Sequence, residues 1–121
     1  MGKSYGLIEI TGVVAAMDAL DIMCKAADVT LSTWERKLGG RLVTIIVEGE
    51  VAAVTAAVEA ARTQALKPLA AFGVIANPHE EIVGLVKRSS SRFMTASKEA
   101  GAEAENPAGG MLSEESYLQE V

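Results

Sequence analysis

The sequence predicts an α+β fold: a split β-α-β-β-α-β antiparallel sheet with two helices on one face and a short terminal helix. Three observations carry this. Residues 4–10, 29–38, 42–48 and 69–76 are rich in Val, Ile, Leu and Thr and read as strands, whereas 13–27 and 50–66 have helical period. Their order along the chain is strand, helix, strand, strand, helix, strand. The two middle strands are joined across Gly39-Gly40, a turn tight enough to make them antiparallel neighbours. This arrangement hosts many activities, so it names none.

Ser4 to Ile10 opens the sheet, with Leu7, Ile8 and Ile10 as its apolar residues, and Thr11 is placed to cap the first helix. In that helix Val13, Ala16, Met17, Leu20, Cys24 and Ala27 form the predicted inward stripe, which makes Cys24 a small buried hydrophobe. Asp21 and Lys25 lie off the stripe at the spacing of an i,i+4 ion pair. Asp28 ends the helix. In the second strand Val29, Leu31 and Thr33 alternate with Thr30, Ser32 and Trp34, and Trp34 is expected in the core. Leu42 to Val47 carries no charge and little alternation, so it reads as a strand covered on both faces.

The alanine-rich second helix turns Val51, Val54, Ala57, Val58, Ala61 and Ala65 inward and Glu59 and Arg62 to water. Small side chains let such a helix lie close to a sheet. Lys67-Pro68 ends it. Asn77-Pro78 stops the last strand, and 78–86 suits a short helix. The division expected is a folded domain over 1–88 and a flexible acidic C-terminal tail over 89–121. In the tail, 88–92 reads as a polar linker and 95–110 as disordered, and a short helix at 111–120 is suited to docking a partner.

Composition narrows the function. Half the residues are hydrophobic but only 4% are aromatic, so the core is aliphatic. No apolar run reaches the roughly 18 residues of a membrane-spanning helix, and the first residues lack a signal-peptide pattern. One cysteine and one histidine speak against a disulfide and against a zinc site, and fit a reducing compartment. From Glu99 onward there are six acids and no bases, while the preceding 98 residues hold 11 bases and 10 acids. The net charge of −5 therefore belongs to the tail. A nearly neutral body whose strands carry no aromatic stacking motif does not suit nucleic acid. With His79 the only histidine and no G-x-S-x-G elbow, no Ser/His/acid set exists, and Gly39-Gly40 lacks phosphate-loop spacing. No catalytic residue, metal ligand or cofactor is assigned.

Several segments, in shared order and spacing over roughly residues 4–87, resemble one family: the single-domain, hexameric shell proteins of bacterial microcompartments. Gly6-Leu7-Ile8-Glu9 resembles its opening strand. Gly12-Val13-Val14-Ala15-Ala16 with Met23-Cys24-Lys25-Ala26-Ala27-Asp28-Val29 is similar to its first helix. Lys37-Leu38-Gly39-Gly40-Arg41-Leu42-Val43-Thr44 resembles its pore segment. Glu48-Gly49-Glu50-Val51 and Ala76-Asn77-Pro78-His79-Glu80 match its later turns.

The resemblance implies a structural, non-enzymatic, self-assembling homohexamer in the bacterial cytoplasm, tiled edge to edge with other shell proteins. Encapsulated enzymes would be the partners met by the docking segment of the C-terminal tail. Lys37, Leu38, Gly39, Gly40 and Arg41 would line a central metabolite pore, and Lys25, Asp28, Asn77, Pro78 and His79 would lie at the hexamer edge. In a sixfold ring Lys37 and Arg41 would gather positive charge that favours anionic metabolites. The chain departs from the family pattern in four places. Asn77 replaces an edge arginine, Asp28 replaces an asparagine, and Gly40-Arg41 stands for Ser-Gly. Trp34-Glu35-Arg36 holds one extra residue, which predicts a bulge in the second strand. The alternative reading is a small-ligand-binding regulatory domain of ferredoxin-like fold.

Overall fold

The computed structural model describes residues 3–36 and 41–104, with the backbone alone over 93–104. The elements are β1 (Ser4–Thr11), α1 (Val13–Ala26), β2 (Thr30–Arg36), β3 (Leu42–Gly49), α2 (Val51–Gln64), β4 (Ala71–Ile75) and α3 (Glu80–Ala104). The sheet runs β2-β3-β1-β4 with every neighbouring pair antiparallel. This is the expected α+β split arrangement, in which β3 inserts between β1 and β2.

Gly6 shows why α2 can lie on the sheet. A Cβ there would come within 2.9 Å of Val58 Cγ2 and 3.3 Å of Val54 Cβ, so only hydrogen fits beneath the helix. Residues in register with Gly6 share that face. Ile8 and Ile10 sit opposite Ile45 and Val43, and all four are buried under the helices. Each fully buried aliphatic of this size contributes about 2 kcal/mol. From α2 come Val54, Ala57, Val58 and Ala61, as expected, but Val51 is exposed.

In α1 the inward face is turned from the predicted stripe. Val13, Ala15, Ala16, Ala19 and Met23 are buried, while Met17 and Cys24 are exposed. The reason is steric: α1 packs against α2, whose inner face is also alanine and valine, and small side chains permit that approach. Cys24 is therefore not a core residue. Residual desolvation and then the Asp21 carboxylate push its thiol pKa up. The cap of α1 is Gly12 at φ 95° rather than Thr11, because Thr11 is still paired with Leu42 in the sheet.

The expected bulge is present in β2, two residues upstream of Trp34. Leu31 pairs with Val47 and Thr33 with Ile46, leaving Ser32 as the extra residue. The bulge reverses the alternation. Trp34 lands opposite Ile45 and packs against the core, and Thr33 turns to the second face of the sheet.

That second face is only half covered. Leu42, Thr44, Ile46 and Glu48 of β3 are half-buried, so β3 is not sealed on both sides as its composition suggests. The covering element is α3, which packs along β2. It corrects the expectations for the C-terminal part. A short helix over 78–86, a linker over 88–92 and disorder from 95 are replaced by one helix to Ala104, and residue 88 lies inside it. Ser89 explains the continuation. It is buried, its hydroxyl is 2.8 Å from that of Thr33, and it donates to Glu35, which Arg92 also reaches at 2.9 Å. The predicted helix at 111–120 lies outside the described residues. Among the described residues no helix is long and apolar enough to cross a membrane.

Candidate functional site

The residues singled out in the sequence fall at opposite ends of the sheet. β1 enters at Ser4, opposite Gly49 at the end of β3, and leaves at Thr11, opposite Leu42 at the start of β3. Eight residues of β3 place these ends about 24 Å apart at 3.4 Å per residue.

At the Thr11 end β2 stops at Arg36 and β3 begins at Leu42. Lys37, Leu38, Gly39 and Gly40, between them, lie outside the described residues. Arg41 is exposed, and its carbonyl accepts the Gly12 N–H at 2.8 Å, which fixes the root of the segment to the start of α1. Glu35, a nearby acid, already receives Ser89 and Arg92. Those contacts hold its carboxylate to α3.

The Ser4 end is more closely tied. A Cβ on Gly49 would stand 2.9 Å from the Asp28 carbonyl oxygen, so the turn after α1 presses directly on β3. Ser4 is buried and its Oγ accepts the Asn77 N–H at 3.4 Å. Asn77 has φ 49°, a left-handed conformation that asparagine tolerates better than most residues. Pro78 follows, half-buried. His79 then caps α3: its Nδ1 accepts the Glu81 N–H at 3.1 Å, and its carbonyl accepts those of Ile82 and Val83. The ring nitrogen is an acceptor here, so the neutral tautomer carries its proton on Nε2.

Thus Asp28, Asn77, Pro78 and His79 do gather at one end. Lys25, three residues before Asp28, is exposed and paired with Asp21 at 2.8 Å, the predicted i,i+4 bridge, and that hydrogen bond raises its pKa. Beside this end Tyr5 is buried opposite Glu48; desolvation, then the carboxylate, raises its pKa.

The sequence reading missed the close approach at Gly49 and the polar clasp of Thr33, Ser89, Glu35 and Arg92. A glycine ending a strand with one residue between it and the next helix was a usable signal for the first. The second joins residues more than fifty positions apart and leaves no local pattern. Glu9 accepts the Thr44 hydroxyl at 3.0 Å within the sheet. Among the described residues no three His, Cys, Asp or Glu side chains are grouped to hold a metal ion.

A family model described as the BMC domain matches residues 4–78. The chain is 37% identical over 92 residues to the bacterial microcompartment shell protein PduA of Salmonella typhimurium, covering 74% of this chain and 97% of that one. It is 44% identical over 85 residues to the carboxysome shell protein CsoS1 of Prochlorococcus marinus, covering 68% and 82%. A microcompartment protein from Desulfitobacterium hafniense superimposes with a TM-score of 0.63 at 26% identity, over 74% of this chain and 49% of that one. Both named relatives are shell proteins. The matched segment spans both ends of the sheet and the α1 and α2 layer between them, and on it this chain belongs to the BMC domain family of bacterial microcompartment shell proteins.

Proposed function

We propose that the chain forms a hexameric tile of a microcompartment shell in the bacterial cytoplasm, with residues 37–41 around a central metabolite pore and Lys25, Asp28, Asn77, Pro78 and His79 at the rim. The observation that carries this reading is the separation of the two residue sets. Arg36, where β2 stops, and Arg41 stand at one end of the sheet, and the Asp28–Gly49–Ser4–Asn77 assembly stands about 24 Å away at the other. One protomer can then reach from an axis to an edge. Its partners are five copies of itself, other shell proteins across the edges, and encapsulated enzymes reached through the tail after residue 104.

Size-exclusion chromatography with light scattering tests the assembly. Six chains are expected. A monomer overturns the proposal, and a dimer whose melting shifts with a small ligand supports the regulatory alternative. The rim assignment is tested separately with Lys25→Ala. Its only described ionic partner is an exposed intrahelical acid, so the melting temperature should not move. Sheet formation in electron micrographs should be lost, and sheets that form as in the parent protein would remove Lys25 from the edge.

A further inference from the structure

The two outer edges of the sheet are made differently. β2 carries the bulge at Ser32 and the charged residues Glu35 and Arg36, and α3 packs along it. Bulges, charges and a covering helix are the means by which sheets keep an edge from pairing with another chain. β4 is the other edge and, among the described elements, pairs with β1 alone. It has no charge, no proline and no bulge, and Phe72, Val74 and Ile75 are exposed, Phe72 by 55%. Helix α2 extends this surface into the second layer. Arg62 lies 5.7 Å over the Phe72 ring and is itself paired with Glu59. Thr55 and Val51 precede Arg62 by two and three helical turns on the same face, and both are exposed. The β4 side is therefore an apolar wall two layers deep with one internally satisfied ion pair on it.

We propose that this wall, Phe72, Val74 and Ile75 of β4 with Val51 and Thr55 of α2, is the surface on which each copy of the chain meets the next copy around the ring. This rests on the hexameric reading. β4 runs alongside β1, between the end assigned to the axis and the end assigned to the rim, so the wall is a side of the protomer rather than its centre or perimeter. A sixfold ring closes through heterologous contacts, in which one side of a copy meets a different side of the next. The two edges of this sheet differ in that way. Phe72 under Arg62 gives the wall an aromatic anchor beside a charged pair, the composition of a contact that binds. An added strand, from a peptide or from residues 105–121, would pair with β4 and leave Val51 and Thr55 bare in the helix layer, whereas a folded copy covers both layers. Charge agrees with this occupant. The 98 residues before the acidic tail hold 11 bases and 10 acids, so the bodies of two copies do not repel each other. An edge that stays apolar needs a partner that is always present, and a second copy is.

The test uses the full chain. Phe72→Asp puts a charge in the middle of the wall, and light scattering should fall from six chains to one with the far-UV circular dichroism of a folded protein. Val51→Asp guards against a folding defect. The first turn of α2 has no acid, and a carboxylate there favours the helix, so this variant should also give single chains without loss of helix. Six chains in either folded variant overturns the wall and leaves the tile standing, and if Phe72→Asp does not fold, Val51→Asp decides. A hexamer that persists while sheets vanish from electron micrographs also overturns it, and gives the wall to contact between tiles. Truncation after Ala104 should leave six chains, and a ring lost on truncation overturns the proposal in favour of the tail as occupant. A parent chain that is not a hexamer overturns both the wall and the tile.

Discussion

The two ends of the sheet are closed by different means. At the Ser4 end the closure is made by contact: Gly49 lies under the Asp28 carbonyl, Ser4 is buried against Asn77, and the His79 ring caps α3. At the Thr11 end, in the described chain, the start of β3 is held by a dihedral angle and one backbone bond, and the end of β2 by the polar contacts of Glu35 with α3. Gly12 turns at φ 95° and donates to the Arg41 carbonyl, while Arg41 itself is exposed. A surface that must meet a rigid neighbour benefits from the first kind of closure. A loop root that must only be held in place needs no more than the second.

Exchanging the glycines sharpens the contrast. Gly49→Ala drives a Cβ to 2.9 Å from a backbone oxygen that no rotamer change can move. It should cost about 2 kcal/mol and lower Tm by roughly 10 °C. An unchanged Tm would show that the Ser4 end is not sterically set. Gly12→Ala has room, since the atom nearest its Cβ would be Lys67 Nζ at 3.7 Å, but the backbone angles are wrong for alanine. A loss of about 1.5 kcal/mol in urea unfolding is expected. A loss larger than that of Gly49→Ala would reverse the comparison. Asn77→Arg should have the smallest effect on stability, about 1 kcal/mol, because arginine fits φ 49° less well than asparagine. The same change supplies a guanidinium fork and should increase sheet formation in electron micrographs. Sheets no more extensive than those of the parent would show that other edge contacts dominate.

What the sequence made legible follows from how local each cause is. Strand order and both long helices rest on periodicity and spacing, which are written in consecutive residues, whereas the bulge in β2 was legible only through the resemblance, as one residue more than the family's common form. The facing of α1 was not legible because hydrophobicity ranks Met17 and Cys24 above Ala15 and Ala19, whereas packing against α2 selects by size. The length of α3 was hidden for a related reason. Ser89-Ser90-Ser91 looks like a linker until Thr33 and Glu35, distant in sequence, satisfy the Ser89 hydroxyl. At the candidate rim the residues were legible by resemblance. That Ser4 holds Asn77 and His79 caps α3 was not, since both are single contacts with no repeating pattern.

The central claim is that the two ends of this sheet are the centre and the rim of one tile. An electron cryomicroscopy reconstruction of the assembled protein tests it most directly. The account predicts a sixfold ring with Arg41 beside the axis and Lys25, Asn77 and His79 at the perimeter. A ring that places Asn77 around its centre and Arg41 at its outer edge, or an assembly without a sixfold axis, would contradict it.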